Sequence, residues 1–238
     1  MKRNYFISIA MATFNGEKYI YEQLKSILNQ LKEKDEVIIS DDGSLDNTLK
    51  IIKSFNDKRI KIYNGPKKGI IKNFENAIKN CNGKYIFLAD QDDIWMENKI
   101  DTVLRLFETN NFTCIVHDAQ VFNSKTNNII CNSFFEFRKS SKGIIRNIIK
   151  NSYIGCCMAF DRKIINKILP IPYSIEMHDQ WIGILNEKYG KVDFIKDKLI
   201  KYRRHDDNAS QMNHYPLSKM ILNRFKLTKE ILKRIGEN

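Results

Sequence analysis

Short apolar runs alternate with amphipathic helical patterns through the first ninety residues, and this alternation restricts the fold more than any other feature. Strand-like runs occupy residues 6–12, 36–40 and 59–63, and a fourth run ends at Asp90. Between them, apolar residues recur at helical spacing: Ile20, Leu24, Ile27, Leu28 and Leu31, then Leu49, Ile52 and Phe55, then Ile70, Phe74, Ala77, Ile78 and Cys81. Repeated alternation of strand and helix predicts an α/β fold, in which helices flank a mostly parallel sheet.

The second half of the chain is less regular. Strand-like runs lie at 113–121, 192–195 and 199–202, another apolar run at 153–160, and a helical pattern at 144–150. No internal repeat appears, and no linker rich in Gly, Ser or Pro divides the chain. We therefore expect one domain over residues 1–211, followed by a tail over residues 212–238.

The tail carries a basic amphipathic pattern. Its apolar residues are Leu217, Met220, Ile221, Leu227, Ile231, Leu232 and Ile235, and its basic residues are Lys219, Arg224, Lys226, Lys229, Lys233 and Arg234. This pattern predicts a helix or a helix pair, which either packs on the domain or lies on an anionic membrane surface.

Charge and cysteine content limit which binding partners and which cellular compartment we expect. The formal net charge of +12 indicates an anionic partner, such as nucleic acid, a phosphate-bearing substrate or an acidic membrane. The five cysteines show no C-x-x-C spacing, so we expect reduced thiols rather than disulfides or a zinc site. No apolar segment near the N-terminus reaches signal-peptide or membrane-span length, which predicts a cytoplasmic protein.

Polar clusters follow three of the predicted strands. They are Thr13-Phe14-Asn15-Gly16-Glu17, Asp41-Asp42-Gly43-Ser44 and Asp90-Gln91-Asp92-Asp93. Because ligands of parallel sheets bind beyond the carboxyl ends of the strands, we expect the three clusters to meet at one edge of the sheet.

The third cluster places three carboxylates within four residues. Like charges this close repel unless a cation or hydrogen-bond donors lie among them, and a hard divalent ion such as Mg²⁺ or Mn²⁺ prefers carboxylate oxygens. If strand alternation continues, Asp90 and Asp92 face one way while Gln91 and Asp93 face the other, so Asp90 and Asp92 could share one ligand. The alternative is a solvated acidic turn that caps a helix near Glu97.

These motifs resemble those of the GT-A glycosyltransferases of family 2, over roughly Phe6 to Gln211. The resemblance rests on residues 6–17, with Ala12 where many members have proline, on residues 41–48, and on Gly69-Ile70-Ile71-Lys72-Asn73-Phe74. It rests also on Asp90-Gln91-Asp92-Asp93-Ile94-Trp95, on Met177-His178-Asp179-Gln180-Trp181 and on residues 201–210. It implies a Rossmann-like GT-A fold, with a nucleotide-binding half over 1–95 and an acceptor half over 96–211.

The resemblance implies the following roles on the nucleotide-sugar side. Asp41 or Asp42 recognises the nucleobase, Thr13, Asn15 and Glu17 enclose the nucleoside, Lys72 meets the base or the diphosphate, Asp90 approaches the ribose, and Arg203 or Arg204 neutralises the diphosphate. Simpler alternatives remain. The Asp41 segment could be a turn that caps the next helix, Lys72 one solvated lysine among many, and residues 201–204 a charged edge strand.

It also implies a metal ion, Mn²⁺ or Mg²⁺, held by Asp92, while Asp93 assists the nucleotide-sugar site or caps the next helix. His205 completes the metal shell or touches the diphosphate. Asp179 is the expected general base of an inverting transfer. Asp118 and Trp181, with the segment 155–158, are expected to shape the acceptor pocket. Alternatively, His178 and Asp179 form a structural hydrogen bond, Trp181 packs in the core, Asp118 is a turn residue, and Cys156 and Cys157 are buried packing residues.

The expected activity is thus transfer of a sugar from a dTDP or UDP sugar to a hydroxyl of a surface polysaccharide or a lipid-linked glycan, in the cytoplasm or on the inner membrane face. The Asp-Gln-Asp-Asp-Ile-Trp and His-Asp-x-Trp forms look most like rhamnosyltransferases, although users of UDP-glucose or UDP-galactose share much of the pattern. The alternatives are a Mg²⁺-dependent nucleotidyltransferase, for which a glycine-rich basic loop is missing, and a non-catalytic nucleic-acid-binding protein. A nucleic-acid partner is not expected, because the basic residues are spread along the chain without a recognition motif.

Overall fold

A single mixed sheet organises the chain in a computed structural model, which describes residues 3–206, 208 and 216–237. Its strands are β1 (Ile7–Thr13), β2 (Glu36–Asp41), β3 (Ile60–Asn64), β4 (Tyr85–Ala89), β5 (Ile94–Trp95), β6 (Cys114–Asn123), β7 (Ile129–Cys131), β8 (Met158–Asp161) and β9 (Val192–Arg204). The helices are α1 (Ile20–Leu28), α2 (Thr48–Ser54), α3 (Ile70–Lys79), α4 (Lys99–Asn110), α5 (Phe134–Arg138), α6 (Ile144–Ile149), α7 (Ile165–Ile168), α8 (His178–Tyr189) and α9 (Leu217–Gly236).

The predicted α/β fold is confirmed. The strands lie in the order β3-β2-β1-β4-β8-β6-β9-β5, and β7 pairs with β6. Strands β3, β2, β1 and β4 are all parallel, as the alternation in the first ninety residues predicts. Antiparallel strands enter in the second half, where β8 lies between β4 and β6, and β5 pairs with the end of β9.

The core lies on both faces of the parallel strands. Every residue of β1, β2 and β4 is buried, which explains why these runs are apolar rather than alternating. Helix α3 covers one region through Phe74, Ala77 and Ile78, none of which is exposed. Full burial of a side chain such as Phe74 is worth about 1.5–3 kcal/mol, so this packing stabilises the position of α3 on the sheet.

The two strands predicted at 192–195 and 199–202 form one strand, β9. Residues 196–198 are exposed and charged, and therefore resemble a loop in the sequence. In the structure, β9 runs beside β6, and register irregularities near Asp118 absorb the extra residues. Pairing with a long neighbouring strand thus overrides the polar break.

The tail forms one helix rather than a pair. Leu227 and Ile231 of α9 are each 3% exposed, and the Arg234 guanidinium donates hydrogen bonds to the carbonyls of Lys167, Leu169 and Pro170. The helix therefore packs on the domain. The expected domain boundary at residues 211 and 212 lies outside the described residues. None of the helices described has both the length and the apolar character needed to cross a membrane.

Candidate active site

The first two polar clusters form one unit at the carboxyl ends of β1 and β2. Thr13 Oγ1 donates to Asp41 Oδ2 at 2.8 Å, and Asn15 Oδ1 accepts from the Leu45 amide at 2.9 Å. Glu17 Oε2 accepts from both the backbone and the side-chain nitrogen of Asn47, at 2.9 and 2.8 Å. The predicted nucleoside-binding residues therefore lie together. Many of their hydrogen bonds, however, join the two loops to each other.

The two neighbouring carboxylates at the end of β2 have different partners. Asp41 accepts from the Gly43 and Ser44 amides and from the Thr13 and Ser44 hydroxyls, so it organises its own turn. Asp42 is half-buried and accepts from the amides of Lys67 and Gly69, at 2.6 and 2.9 Å. Both residues stay candidates for base recognition, and Asp42 is the more accessible of the two.

The third cluster is clamped in place by residues from three elements. Gln23 of α1 donates to the Asp90 carbonyl at 2.7 Å, and Gln91 makes two hydrogen bonds to the Phe14 backbone, at 2.9 and 3.0 Å. Arg203, at the end of β9, donates from Nε to the Asp92 carbonyl at 2.7 Å and from its amide to Asp93 Oδ1 at 2.9 Å. The expected edge cluster is therefore present, with all three polar segments joined.

Arg203 is enclosed by neighbouring side chains. Its guanidinium also pairs with Glu22 and lies 4.8 Å from the ring centroids of Tyr19 and Phe122, and the residue is only 6% exposed. In this position its guanidinium pairs with Glu22, while its Nε and its amide hold the acidic loop by hydrogen bonds. A diphosphate contact for Arg203 stays a prediction.

The predicted alternation of the acidic residues is wrong. Strand β4 ends at Ala89, so Asp90 to Asp93 lie in a loop where period-two alternation no longer applies. Ligand atoms of Asp90, Asp93 and Cys156 lie within 4.8 Å of one another, while Asp92 turns toward His205. The ligand atoms of Asp90 therefore lie with those of Asp93, while Asp92 stays close enough for its charge to act on Asp90.

Burial and mutual repulsion raise the pKa values of the acidic groups. Burial of the Asp90 carboxyl, with the Asp92 and Asp179 charges nearby, raises its pKa to about 7. Burial, with the Asp92 and Asp90 charges nearby, raises the pKa of Asp93 well above its usual range. Asp93 Oδ2 is buried and accepts from no nitrogen or oxygen donor among the described residues. Carboxylates in this state fit a divalent cation, so the donor set is consistent with the expected Mn²⁺ or Mg²⁺.

Asp92 and His205, the predicted metal pair, meet directly. His205 Nε2 lies 2.8 Å from Asp92 Oδ2, and Asn208 Nδ2 lies 3.3 Å from the same oxygen. The His205 ring packs against Tyr19, with centroids 4.7 Å apart. These residues are separated by more than a hundred positions in the chain, and the fold brings them to one point. Their binding of an ion stays a prediction.

Lys99 is a site residue that the sequence reasoning missed. It lies in the first turn of α4 with no exposed surface, and its Nζ is 2.7 Å from the Cys156 carbonyl and 3.8 Å from the Trp95 ring centroid. Burial lowers its pKa to about 8, against the opposing effect of Cys157, Cys156, Asp93 and Asp90. Lys99 thus supplies positive charge beside the acidic loop below about pH 8. The signal available in the sequence was a lysine six residues after Asp93, within an otherwise helical pattern.

Asp179 lies at the first turn of α8 and is 8% exposed. Its carboxylate accepts from Asn151 Nδ2 and the Gly155 amide, each at 3.2 Å, and from the Gln180 amide at 2.6 Å. Burial raises its pKa to about 6 despite these donors. Because the Asp179 charge contributes to the raised pKa of Asp90, the expected base and the donor-side carboxylate lie within electrostatic reach.

The two neighbours of Asp179 in the motif are packing residues. The His178 ring stacks on Phe74 with centroids 4.1 Å apart, and burial lowers its pKa to about 3. Trp181 has no exposed surface, and its Nε1 donates to the Ile168 carbonyl at 2.9 Å. The expectation that Trp181 contacts the acceptor is therefore corrected, because a fully buried ring can only position α8.

Three further predicted residues have structural partners. Lys72 Nζ lies 2.7 Å from Glu75 Oε2 and donates to the Ile171 carbonyl at 2.6 Å, which turns it toward the segment after α7. Asp118 is buried and accepts from Ser133 Oγ and the Phe135 amide, so it anchors the start of α5. Arg204 Nη1 lies 3.4 Å from the Tyr202 hydroxyl. Ligand contacts by these three residues stay predictions.

All five cysteines are free, as expected, and Cys156 and Cys157 are fully buried. A hydrogen bond with Cys157, with burial, raises the pKa of the Cys156 thiol. Both are therefore buried packing residues.

Comparison with known proteins places these features in a family. A family model described as glycosyl transferase family 2 matches residues 8–169. The chain is 30% identical to UDP-Glc:alpha-D-GlcNAc-diphosphoundecaprenol beta-1,3-glucosyltransferase WfgD of Escherichia coli, over 77% of this chain and 71% of that protein. It is 42% identical to dTDP-rhamnosyl transferase RfbG of Shigella flexneri, over 44% of this chain and 39% of that protein.

The fold also matches a solved structure. The S. aureus TarS 1-349 complex with UDP-GlcNAc superposes with a TM-score of 0.67 at 17% identity, covering 96% of this chain and 72% of that chain. The fold is therefore GT-A, as the motifs implied. The matched segments cover 71% of WfgD and 39% of RfbG.

Proposed function

This chain belongs to glycosyl transferase family 2, and we propose that it moves a sugar from a nucleotide diphosphate donor to a hydroxyl group of a polysaccharide or lipid-linked glycan. One observation carries the proposal. The clamped loops at the ends of β1, β2 and β4 and the buried carboxylate of Asp179 occupy the same edge of the sheet, within electrostatic reach of each other.

In the proposed reaction, Asp179 removes the proton from the acceptor hydroxyl as that oxygen attacks the anomeric carbon. Attack from the face opposite the diphosphate inverts the configuration of that carbon. A carboxylate with a pKa raised to about 6 is a stronger base than an ordinary aspartate and is still ionised at neutral pH. Asn151 and the Gly155 amide hold its oxygens in position.

The donor side is proposed to bind the nucleotide between the loops 13–17 and 41–48. Asp42 and Asp41 are the candidates for the base, Asp90 for the ribose, and Asp92 with His205 for a divalent ion. When bound, such an ion would offset the negative charge that develops on the departing diphosphate. Arg203 holds the acidic loop by hydrogen bonds, and Lys99 supplies positive charge beside it.

The sugar is proposed to be rhamnose or glucose, carried on dTDP or UDP. RfbG, which is named a dTDP-rhamnosyl transferase, supports rhamnose over the segment that it shares with this chain. WfgD, which is named a UDP-Glc glucosyltransferase acting on a diphosphoundecaprenol-linked GlcNAc, supports glucose and a lipid-linked acceptor. We further propose that the reaction takes place in the cytoplasm or at the inner face of the cell membrane.

A thermal-shift panel tests the donor site. UDP, dTDP, GDP and CMP are each added with Mn²⁺, with Mg²⁺ and with EDTA, to wild type, Asp92→Ala and the control Asp101→Ala, whose residue is exposed on α4. A ligand at a hundredfold its dissociation constant adds about 2.7 kcal/mol to the free energy of unfolding.

We expect UDP or dTDP to raise the melting temperature of wild type and Asp101→Ala. We expect this rise to be lost with EDTA and in Asp92→Ala. If no nucleotide raises the melting temperature under any metal condition, the proposed transfer reaction is contradicted.

A further inference from the structure

Helix α9 leaves an apolar row uncovered beside the face that holds its buried residues. Leu217, Ile221 and Phe225 are four residues apart, and Leu232 follows seven residues later, so all four lie on one face of the helix. Each exposes at least 56% of its surface, although Leu227 and Ile231 on the packed side are almost fully buried. This outer row does not contribute to packing on the domain.

Helix α6 extends the apolar row into a broader ridge. Ile145 and Ile149 are 76% and 57% exposed, and Arg224 Nε donates to the Ile149 carbonyl at 2.9 Å, which ties the end of α6 to α9. We define the α6–α9 ridge as Ile145, Ile149, Leu217, Ile221, Phe225 and Leu232. Exposed apolar residues grouped in this way on a folded domain indicate a binding surface.

Basic residues border the ridge. On α9, the exposed Lys226, Lys229 and Lys233 form the adjacent row, and on α6 Arg146 and Lys150 are exposed beside the two isoleucines. The one acidic residue of α9, Glu230, accepts a hydrogen bond from Ser174 on the opposite side. The ridge therefore combines apolar area with positive charge and has no acidic member.

We propose that the α6–α9 ridge docks on the surface of an anionic lipid bilayer. An apolar row next to a lysine row matches a helix lying in the plane of the interface, with its apolar side chains among the acyl chains and its lysines at the anionic headgroups. The net charge of +12 adds attraction at longer range.

Docking in this orientation also places Asp179 close to the membrane. The segment 147–151, at the end of α6, contacts α8 directly, because Asn151 donates to Asp179 Oδ1 and Gln180 Nε2 donates to the Asn147 carbonyl. A lipid-linked acceptor presents its sugar near the headgroups. This second step rests on the proposed function, whereas docking itself does not.

Co-sedimentation with vesicles tests the docking. We expect the full chain to bind phosphatidylglycerol vesicles and to bind phosphatidylcholine vesicles much more weakly. Lys226→Glu/Lys229→Glu should weaken the affinity for phosphatidylglycerol by at least about tenfold, and Ile221→Ser/Phe225→Ser should weaken it by a similar factor.

Matched controls place the same changes elsewhere. Lys50→Glu/Lys53→Glu alters exposed lysines of α2, and Ile129→Ser/Ile130→Ser alters isoleucines of β7 that are 55% and 50% exposed. Both should bind vesicles within about twofold of wild type. Equal losses in ridge and control variants would overturn the proposal, and so would failure of wild type to bind either vesicle.

Light scattering tests whether a second copy of the chain, rather than a membrane, covers the ridge. If wild type is a dimer without lipid, and Ile221→Ser/Phe225→Ser makes it a monomer, the ridge joins two copies of the chain and the membrane proposal is wrong. Nucleotide-induced stabilisation, measured on the same variants, reports separately on the proposed donor site. Loss of vesicle binding with intact nucleotide binding therefore concerns the ridge alone.

Discussion

At the scale of single residues, burial sets the chemistry of the acid and base groups. Asp179 and Asp90 both have raised pKa values, and Lys99 has a lowered one, because each lies where a charge is poorly solvated. The groups that surround the buried carboxylates differ from site to site. Asp179 is held by three donors, whereas Asp90 and Asp93 face a buried lysine.

Asp179→Asn should lower kcat by about 10²–10⁴-fold, because the amide cannot accept the proton of the acceptor. In wild type, the rate should fall as the pH drops through about 6, since protonated Asp179 cannot act as a base. Steady-state rates from pH 5 to 8 measure both effects. Asp197→Asn, an exposed residue of β9, serves as the control and should keep the wild-type rate. A variant Asp179→Asn with more than a tenth of the wild-type kcat would assign the base elsewhere.

Lys99→Met should reduce the free energy of unfolding by about 1–3 kcal/mol, because it leaves the buried Cys156 carbonyl without its donor and removes positive charge beside Asp90 and Asp93. Urea denaturation at pH 7.5 measures the change. The matched control Lys50→Met removes an exposed lysine and should change stability by at most about 0.5 kcal/mol. Equal stability of the two variants would show that the acidic loop does not depend on Lys99.

At the scale of elements, loops rather than helices build the donor side, and close backbone contacts hold them. The Gly65 amide donates to the Asp41 carbonyl, which brings the end of β3 against the end of β2. A Cβ on Gly65 would lie 2.7 Å from that carbonyl oxygen and 2.8 Å from the Asp42 Cα. No side chain fits there without moving the turn.

Gly65→Ala should therefore displace the turn that carries Asp41 and Asp42. We expect a loss of about 1–3 kcal/mol in stability and a weaker affinity for the nucleotide that stabilises wild type. Isothermal titration with that nucleotide measures the second effect. Gly236→Ala is the control, because a Cβ there meets no other atom within 4 Å. Unchanged affinity in Gly65→Ala would remove the turn from the nucleotide site.

At the scale of the whole molecule, the contact between His178 and Phe74 joins the two halves of the fold. Helix α3 belongs to the parallel half and α8 to the second half, and their rings stack with centroids 4.1 Å apart. The pKa of His178 is lowered to about 3 by burial, so the folded chain holds it neutral. The unfolded chain protonates the same histidine below about pH 6.5.

The stability contributed by neutral His178 is fully present above about pH 6.5 and is lost as the pH falls toward 3, because only the unfolded chain binds the proton in that window. Between pH 6.5 and 4.5 this amounts to about 2 kcal/mol. His178→Phe keeps the stacked ring and should lose about that much less stability over the same interval. Urea denaturation at both pH values measures the difference. Identical pH dependence in wild type and variant would contradict a buried, neutral histidine.

Local patterns of the sequence determined the α/β fold and the existence of an acidic cluster at the edge of the sheet. The reason is that strand and helix periodicity, and the placement of Asp41 or Asp90 directly after an apolar run, are properties of neighbouring residues. The alternating runs of the first half predict β1 to β4 and α1 to α3 to within about three residues. The motifs, through their resemblance to a family, also indicated Asp92 and His205 as one group.

Only the tertiary structure decided which of these groups share an environment. Asp90 lies with Asp93 and Cys156, Lys99 supplies a buried cation, and Trp181 is enclosed in the core. The fusion of two predicted strands into β9 depends likewise on pairing with β6. Each of these outcomes depends on contacts between residues far apart in the chain, where burial and neighbouring charge override what short-range spacing predicts.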